Sequence, residues 1–329
     1  MTIFDNIGNT PTFKIEDEKN DIYLKYVGAN SFGSSKDRSA KYVLNKLYNE
    51  GTINKDTTII ESSSGNMGIA LAATCKHLGN KFICVIDPHI SAVNEFLIKN
   101  AGAETIKVTE ADSNNSYLKT RLKVVGDLLK QNPNSYWFNQ YGNPLVCEAY
   151  EEIGREIVRD VQDVEYVFVA VSSAGTIGGV SKAIKEYAKR QNRNIKVIAV
   201  DVEGSKVFDI NTTKKRYLSG IGSSIQSVNL SRIQKDDVIL VDEKDGVRKC
   251  YELWQDHTIF AGGSSGCVVE AIEQYVKKHN IEHSKIVGLL NDRGDRYFKT
   301  VYDEEWVKEK FGFYPSEEIK QKKLVKALK

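Results

Sequence analysis

Thr57-Thr58-Ile59-Ile60-Glu61-Ser62-Ser63-Ser64-Gly65-Asn66-Met67-Gly68 passes from a compact apolar strand through small polar residues to the start of a helix. Ile59 and Ile60 suit a strand buried on both faces, and residues 69–78 continue as helix. Strand, small loop and helix form the repeating unit of a parallel sheet. The unit recurs along the chain. Residues 22–27, 81–86, 104–108, 135–138, 166–171, 196–202, 238–241 and 285–290 read as strands. Helices are expected over 39–50, 93–100, 117–131, 148–161, from the 172–179 loop to about residue 190, and over 246–256 and 267–278. Several strands are near-continuous Val/Ile/Leu runs, which argues for parallel sheets covered by helices on both faces.

The chain has 329 residues, 41% hydrophobic and 27% charged, enough for two ordinary domains with real cores. A net charge of +2, with no basic stripe interleaved with aromatics, gives no reason to expect a nucleic-acid partner. The cysteines, Cys75, Cys84, Cys147, Cys250 and Cys267, are odd in number and lack CxxC spacing, which fits a reducing cytoplasm. Residues 1–12 have no basic-then-apolar leader pattern, and no apolar run approaches the ~20 residues of a membrane span. His77, His89, His257, His279 and His283 have no metal-ligand spacing, and there is no Gly-x-Ser-x-Gly elbow. The lysine-rich tail, 316–329, reads as a frayed, solvated helix.

Three loops carry the chemistry. Ser172-Ser173-Ala174-Gly175-Thr176-Ile177-Gly178-Gly179 follows a buried strand and opens a helix. Its small residues expose backbone amides, its hydroxyls add donors, and the helix N-terminus favours an anion. It matches neither the dinucleotide fingerprint nor the Walker A pattern. The 62–68 loop has the same design, with Asn66 set among small residues, and Gly262-Gly263-Ser264-Ser265-Gly266 is a third case. Each taken singly could be no more than a helix cap. In an open parallel sheet, however, such loops gather at the carboxyl ends of the strands, where ligands bind. Gly33-Ser34-Ser35-Lys36-Asp37-Arg38 sets a lysine at a helix start, although most lysines are simply solvated. Arg293-Gly294-Asp295-Arg296-Tyr297 reads as a salt-linked turn.

Together with Gln140-Tyr141 and Gly220-Ile221-Gly222, these motifs stand in the order and spacing of the cysteine synthase family, which the chain resembles from about residue 7 to 307. Within it the chain looks similar to the N-(2-amino-2-carboxyethyl)-L-glutamate synthases of siderophore pathways, whose products lead to 2,3-diaminopropionate. That likeness rests on Ile86-Asp87-Pro88, Tyr117-Leu118-Lys119-Thr120-Arg121, Asn139-Gln140-Tyr141, Phe260-Ala261-Gly262-Gly263-Ser264 and Asp292-Arg293-Gly294-Asp295-Arg296-Tyr297.

The resemblance implies a fold type II enzyme dependent on pyridoxal 5'-phosphate, with two three-layer α/β/α domains, mostly parallel sheets and the active site between them. Residues 33–140 would be a smaller, mobile substrate-binding domain; 1–32 and 141–329 would form the larger, phosphate-binding one. A cytoplasmic homodimer acting on amino-acid substrates is implied. Lys36 would carry the cofactor and move the Cα proton. Ser172, Ser173, Ala174, Gly175 and Thr176 would hold its phosphate, Asn66 its ring oxygen and Ser264 its ring nitrogen, with Gly220 over the ring. Ser63, Ser64, Met67 and Gln140 would bind the amino-acid carboxylate, and Tyr141 and Arg121 would line the substrate site. A surface salt bridge is the plain alternative for Arg121.

The implied reaction is β-replacement on O-phospho-L-serine through an aminoacrylate, with L-glutamate as the amine nucleophile. The alternatives are a cysteine synthase, a cysteine lyase releasing sulfide, or a silent relative acting as a binding partner; intact Lys36, Asn66 and Ser264 weigh against the last. The chain departs from ordinary cysteine synthases at Asn30-Ser31, Met67, Ser172-Ser173-Ala174 and Asn291. The Met67 and Ser172 changes argue against plain O-acetylserine sulfhydrylation. Asn143-Pro144 and the segment 147–152 depart instead from the siderophore enzymes.

Overall fold

The structure is a computed structural model that describes residues 2–111 and 117–327, with side chains to residue 321. The chain begins β1 (Thr12–Ile15), β2 (Asp21–Tyr26), α1 (Lys36–Asn49), β3 (Thr58–Ser62), α2 (Asn66–Leu78), β4 (Phe82–Ile86) and α3 (Ala92–Asn100). There follow β5 (Glu104–Lys107), α4 (Leu118–Gln131), β6 (Ser135–Trp137), α5 (Pro144–Glu148), α6 (Glu151–Asp160), β7 (Tyr166–Ala170), α7 (Gly175–Arg190) and β8 (Lys196–Val202). The rest is β9 (Asp237–Val241), α8 (Glu243–His257), α9 (Gly263–His279), β10 (Lys285–Leu290), α10 (Glu304–Phe311) and α11 (Pro315–Ala327).

The strands make two sheets. A four-stranded sheet has the order β5-β4-β3-β6 and is wholly parallel. A six-stranded sheet has the order β1-β2-β10-β7-β8-β9 and is parallel except for β1, which pairs antiparallel with β2 at the edge. This is the doubly covered α/β design that the apolar runs imply. Val167 and Val169 of β7 face one layer while Phe168 and Ala170 face the other, as the two-residue period of a strand requires. One core is continuous between the sheets, joining Ile59, Phe82 and Cys84 to Val167, Val197 and Leu289 through α1, α2, α6 and α7. A second lies under α8 and α9, and a small third, with Ile60, Val85 and Val125, lies under α4.

Buried charge ties α1 to this frame. Arg38, two residues past Lys36, makes a paired contact with Glu156 of α6 at 2.5 and 2.9 Å, and Lys25 of β2 reaches the same carboxylate at 2.7 Å. The tail begins docked rather than frayed: Arg248 of α8 binds Glu318, and Ile319 packs on the second core. Lys322, Lys323, Lys326 and Lys329 lie outside the residues whose side chains are described. No helix of the described residues is long and apolar enough to cross a membrane.

Candidate active site

The carboxyl ends of β3, β7 and β10 and the N-termini of α1, α2, α7 and α9 open onto one cavity of about 490 Å³. Lys36 is placed there by the end of β10. Ser35 donates its amide to the Asn291 carbonyl at 2.8 Å, Ser34 bridges to Asp292, and Arg293 donates its amide to Gly33 at 3.1 Å. Asp37 braces the loop from behind, accepting the Phe32 amide at 2.7 Å; burial pushes its carboxyl up to about 6 against that hydrogen bond. The Lys36 amine lies 3.2 Å from Ser35 Oγ and 5.8 Å from the centre of the Tyr150 ring. Among the described residues it makes no ion pair, and it lines the cavity rather than the outer surface.

Two loops face each other across this amine. On the β7 side, Ser172, Ser173, Ala174 and Thr176 line the cavity ahead of α7. Ala174 takes φ +65°, the left-handed conformation in which successive N–H groups can line a concave anion site. Ser172 donates to the Gly222 carbonyl at 2.8 Å, which knits this loop to Gly220. Gly220 itself takes φ +86°, and a Cβ there would come within 4.0 Å of Tyr297, Ser264 and Asp292. On the β3 side, the Ser63 hydroxyl is already spent on the loop, accepting the amides of Gly65 and Gly68 at 3.3 and 3.1 Å. Ser64 Oγ accepts the Asp87 amide at 3.2 Å and an N–H of Arg121 at 3.3 Å.

Of the residues singled out in the sequence, Lys36, Ser63, Ser64, Asn66, Met67, Arg121, Gln140, Tyr141, Ser172, Ser173, Ala174, Thr176, Gly220 and Ser264 all line this cavity. Gly175 alone does not: its α-carbon faces α5, where a Cβ would lie 2.7 Å from Val146 Cγ1. Arg121 pairs with Asp87 at 3.3 Å, but with 14% of its side chain exposed this is a cavity pair rather than a surface one. The lining residues that sequence reasoning did not assign to the site include Asp87, His89, Asn94, Asp292, Arg296 and Tyr297. Asp87 follows directly on buried β4 and Asp292 stands two residues past buried β10, positions that could have flagged them. The 293–297 turn does have its salt link, Arg293 to Asp295 at 3.5 Å, but Arg296 and Tyr297 turn inward. Asp292 is fully enclosed, with Oδ1 lacking a partner, and burial raises its carboxyl despite donors from Tyr297 and Asn66.

The arrangement has an amine without a counter-ion, a hydroxyl-rich loop at a helix N-terminus, and a hydroxyl and a carboxamide on opposite walls between them. That set matches the aldehyde, phosphate, ring nitrogen and ring oxygen of pyridoxal phosphate. Such a site between two mostly parallel sheets defines a fold type II enzyme dependent on that cofactor. Residues 3–292 match the family described as pyridoxal-phosphate dependent enzyme, and the chain belongs to it. The fold is similar to that of the O-acetylserine dependent cystathionine beta-synthase from Helicobacter pylori (26% identity, 91% of this chain and 97% of that one, TM-score 0.82). It is also similar to a hydrogen sulfide-producing enzyme from Fusobacterium nucleatum (30%, 90% and 99%, 0.82). A third likeness is to the cysteine synthase from Entamoeba histolytica (26%, 95% and 96%, 0.83).

Proposed function

We propose that the enzyme catalyses β-replacement on O-phospho-L-serine, with L-glutamate as the amine nucleophile, giving N-(2-amino-2-carboxyethyl)-L-glutamate. Bound pyridoxal phosphate supplies the electron sink for chemistry at the substrate Cα. Lys36 would hold the cofactor covalently, and its amine, when free, would carry the Cα proton. The amides and hydroxyls of Ser172, Ser173, Ala174, Gly175 and Thr176 hold the cofactor phosphate. Asn66 Nδ2 would donate to the ring oxygen, with Gly220 on the wall beside the ring. Ser264 offers a neutral hydroxyl to the ring nitrogen, so that nitrogen is not forced to carry a proton. The Ser63–Met67 loop and Gln140 take the amino-acid carboxylate, largely through amides, because the Ser63 hydroxyl is committed to its own loop.

The observation that carries the choice of donor is Arg121. A guanidinium inside the cavity, 3.3 Å from Ser64 Oγ in the carboxylate loop and paired, among the described residues, only with Asp87 at one terminal nitrogen, supports a second anionic group beyond that carboxylate. Phosphoserine has one and O-acetylserine has none. Tyr141 lines the same end. On this reading the protein is a cytoplasmic homodimer whose product leads to 2,3-diaminopropionate for siderophore biosynthesis. A second reading, a cysteine synthase or a cysteine lyase releasing sulfide, draws support from the 30% identity to the sulfide-producing Fusobacterium enzyme.

The test is to incubate the holoenzyme with phosphoserine plus either glutamate or sulfide and to weigh the product. The glutamate adduct is expected, and none from Lys36→Ala. Efficient consumption of sulfide with no glutamate incorporated would overturn the first reading in favour of the second.

A further inference from the structure

Asn66 is the first residue of α2, and both ends of its carboxamide are held by the turn after β10. Its Nδ2 donates to Asp292 Oδ2 at 2.7 Å, and its Oδ1 accepts from Arg296. Arg296 is itself fixed: it is buried, and its other terminal nitrogen donates to the Phe32 carbonyl, just ahead of the Lys36 loop. Asp292 is pinned by the Tyr297 hydroxyl and by its own carbonyl, which accepts the Gly262 amide at 3.1 Å.

These partners decide which way the amide faces. A guanidinium has only donors, and Asp292 Oδ2, which also takes the Tyr297 hydroxyl, is an acceptor. With Oδ1 toward Arg296 and Nδ2 toward Asp292, both contacts are favourable. Turned over, the amide would set oxygen against the Asp292 acceptor and N–H against guanidinium, losing two hydrogen bonds at once, the one from Arg296 charge-assisted. Nδ2 carries two hydrogens and Asp292 takes one, which leaves one for the cavity that Asn66 lines. We propose that Arg296 and Asp292 are positioning residues that lock the Asn66 carboxamide so that an N–H, and never the oxygen, meets the ring oxygen of the cofactor. This rests on Asn66 being the residue that meets that oxygen. The turn read in the sequence as a mere salt link thereby reaches the reaction centre from the far end of β10.

The test uses Arg296→Met, which removes the donors at similar length, Arg296→Lys, which restores one, and Asn66→Ala as the reference. Two quantities are read: the affinity of the apoenzyme for pyridoxal phosphate, and the pH titration of the visible absorption band of the bound cofactor. Arg296→Met is expected to weaken cofactor binding about ten-fold and to move the titration in the same direction as Asn66→Ala, with Arg296→Lys recovering most of both. Thermal unfolding of each apoenzyme separates this from a general loss of packing, which lowers the melting temperature but leaves the band's titration in place. Should Arg296→Met fail to fold, Asp292→Asn carries the test. A neutral acceptor still holds Nδ2 but less tightly, and an affinity loss of about three-fold with the same direction of titration is expected. If Asn66→Ala changes both quantities while the Arg296 and Asp292 variants change neither, the lock is wrong and the place of Asn66 stands. If Asn66→Ala itself changes nothing, the place of Asn66 is wrong and the lock falls with it.

Discussion

Glu61 turns its carboxylate back onto the chain at the end of β3, where Oε1 accepts the Ser62 amide at 2.7 Å and Oε2 the Gln140 amide at 3.0 Å. One side chain thus sets both the start of the 62–68 loop and the residue facing it. The group is fully enclosed, and burial lifts it from an ordinary 4.5 to about 7, the two amide donors only partly opposing the shift. A carboxyl that holds its proton more tightly folded than unfolded adds stability below the unfolded value and loses it as pH rises through the folded one. Glu61 therefore contributes a fall in stability from about pH 4.5 to about pH 7, on the order of 3 kcal/mol in full. Asp37 and Asp201, both pushed up to about 6 mainly by burial, act in the same direction. Glu61→Gln keeps the shape but not the titration. Its melting temperature is expected to be lower at acid pH, because an NH2 now faces one of the two amides at a cost of about 1–3 kcal/mol, and to vary less with pH across that window. Thermal melts at a series of pH values check this; a slope equal to that of the native protein would remove Glu61 as its source.

At the level of elements, the glycines of α7 separate two jobs that the sequence presents as one. The 172–179 stretch reads as small residues opened for a ligand, and 172–174 and Thr176 do line the cavity. Gly179 faces elsewhere: a Cβ there would lie 2.1 Å from the Cys147 carbonyl and 2.8 Å from Tyr150 Cβ, so it exists to let α7 lie against the chain joining α5 and α6. A single sequence cannot divide these roles, because both call for the smallest residue. The alternation of strands and helices was legible, since strands buried on both faces are written as apolar runs. The division of strands between two sheets, and the antiparallel edge strand β1, with its two central residues exposed, were not, because they depend on pairings far apart in the chain. Asp292 and Arg296 were hidden for a similar reason: an inward turn and a solvated salt link share one spelling. Gly179→Ala is expected to destabilise by about 1–3 kcal/mol, overpacking outweighing the gain in helix propensity. Gly126→Ala, in α4 with nothing within 4 Å of the new carbon, should stabilise by about 0.5–1 kcal/mol. Urea midpoints measure both, and a Gly179→Ala protein as stable as the native one would refute the packing role.

Over the whole molecule, the cavity walls belong to different sheets. Ser172, Thr176, Gly220 and Ser264 stand on the six-stranded side; Ser63, Asn66, Met67 and Arg121 stand on the four-stranded side. On the proposed reading, an amino acid held by its carboxylate in the 62–68 loop while the cofactor phosphate is held at the start of α7 would draw the two sides together. The continuous core between the sheets, from Ile59 and Phe82 through to Val169 and Leu289, limits how they can do so. Close-packed side chains resist opening by a hinge but tolerate a small sliding of helices over one another. The expected motion is therefore a shear that closes the 62–68 and 87–94 segments over the substrate while the 172–179 loop stays in place. Amide hydrogen exchange on the holoenzyme with and without phosphoserine tests this. Exchange should slow at 62–68 and 87–94, where Ser64, Asp87 and Arg121 already share hydrogen bonds, and stay nearly constant at 172–179. Uniform slowing across the chain would mean that substrate only stabilises the fold, and slowing confined to 172–179 would assign the closing element to the other sheet.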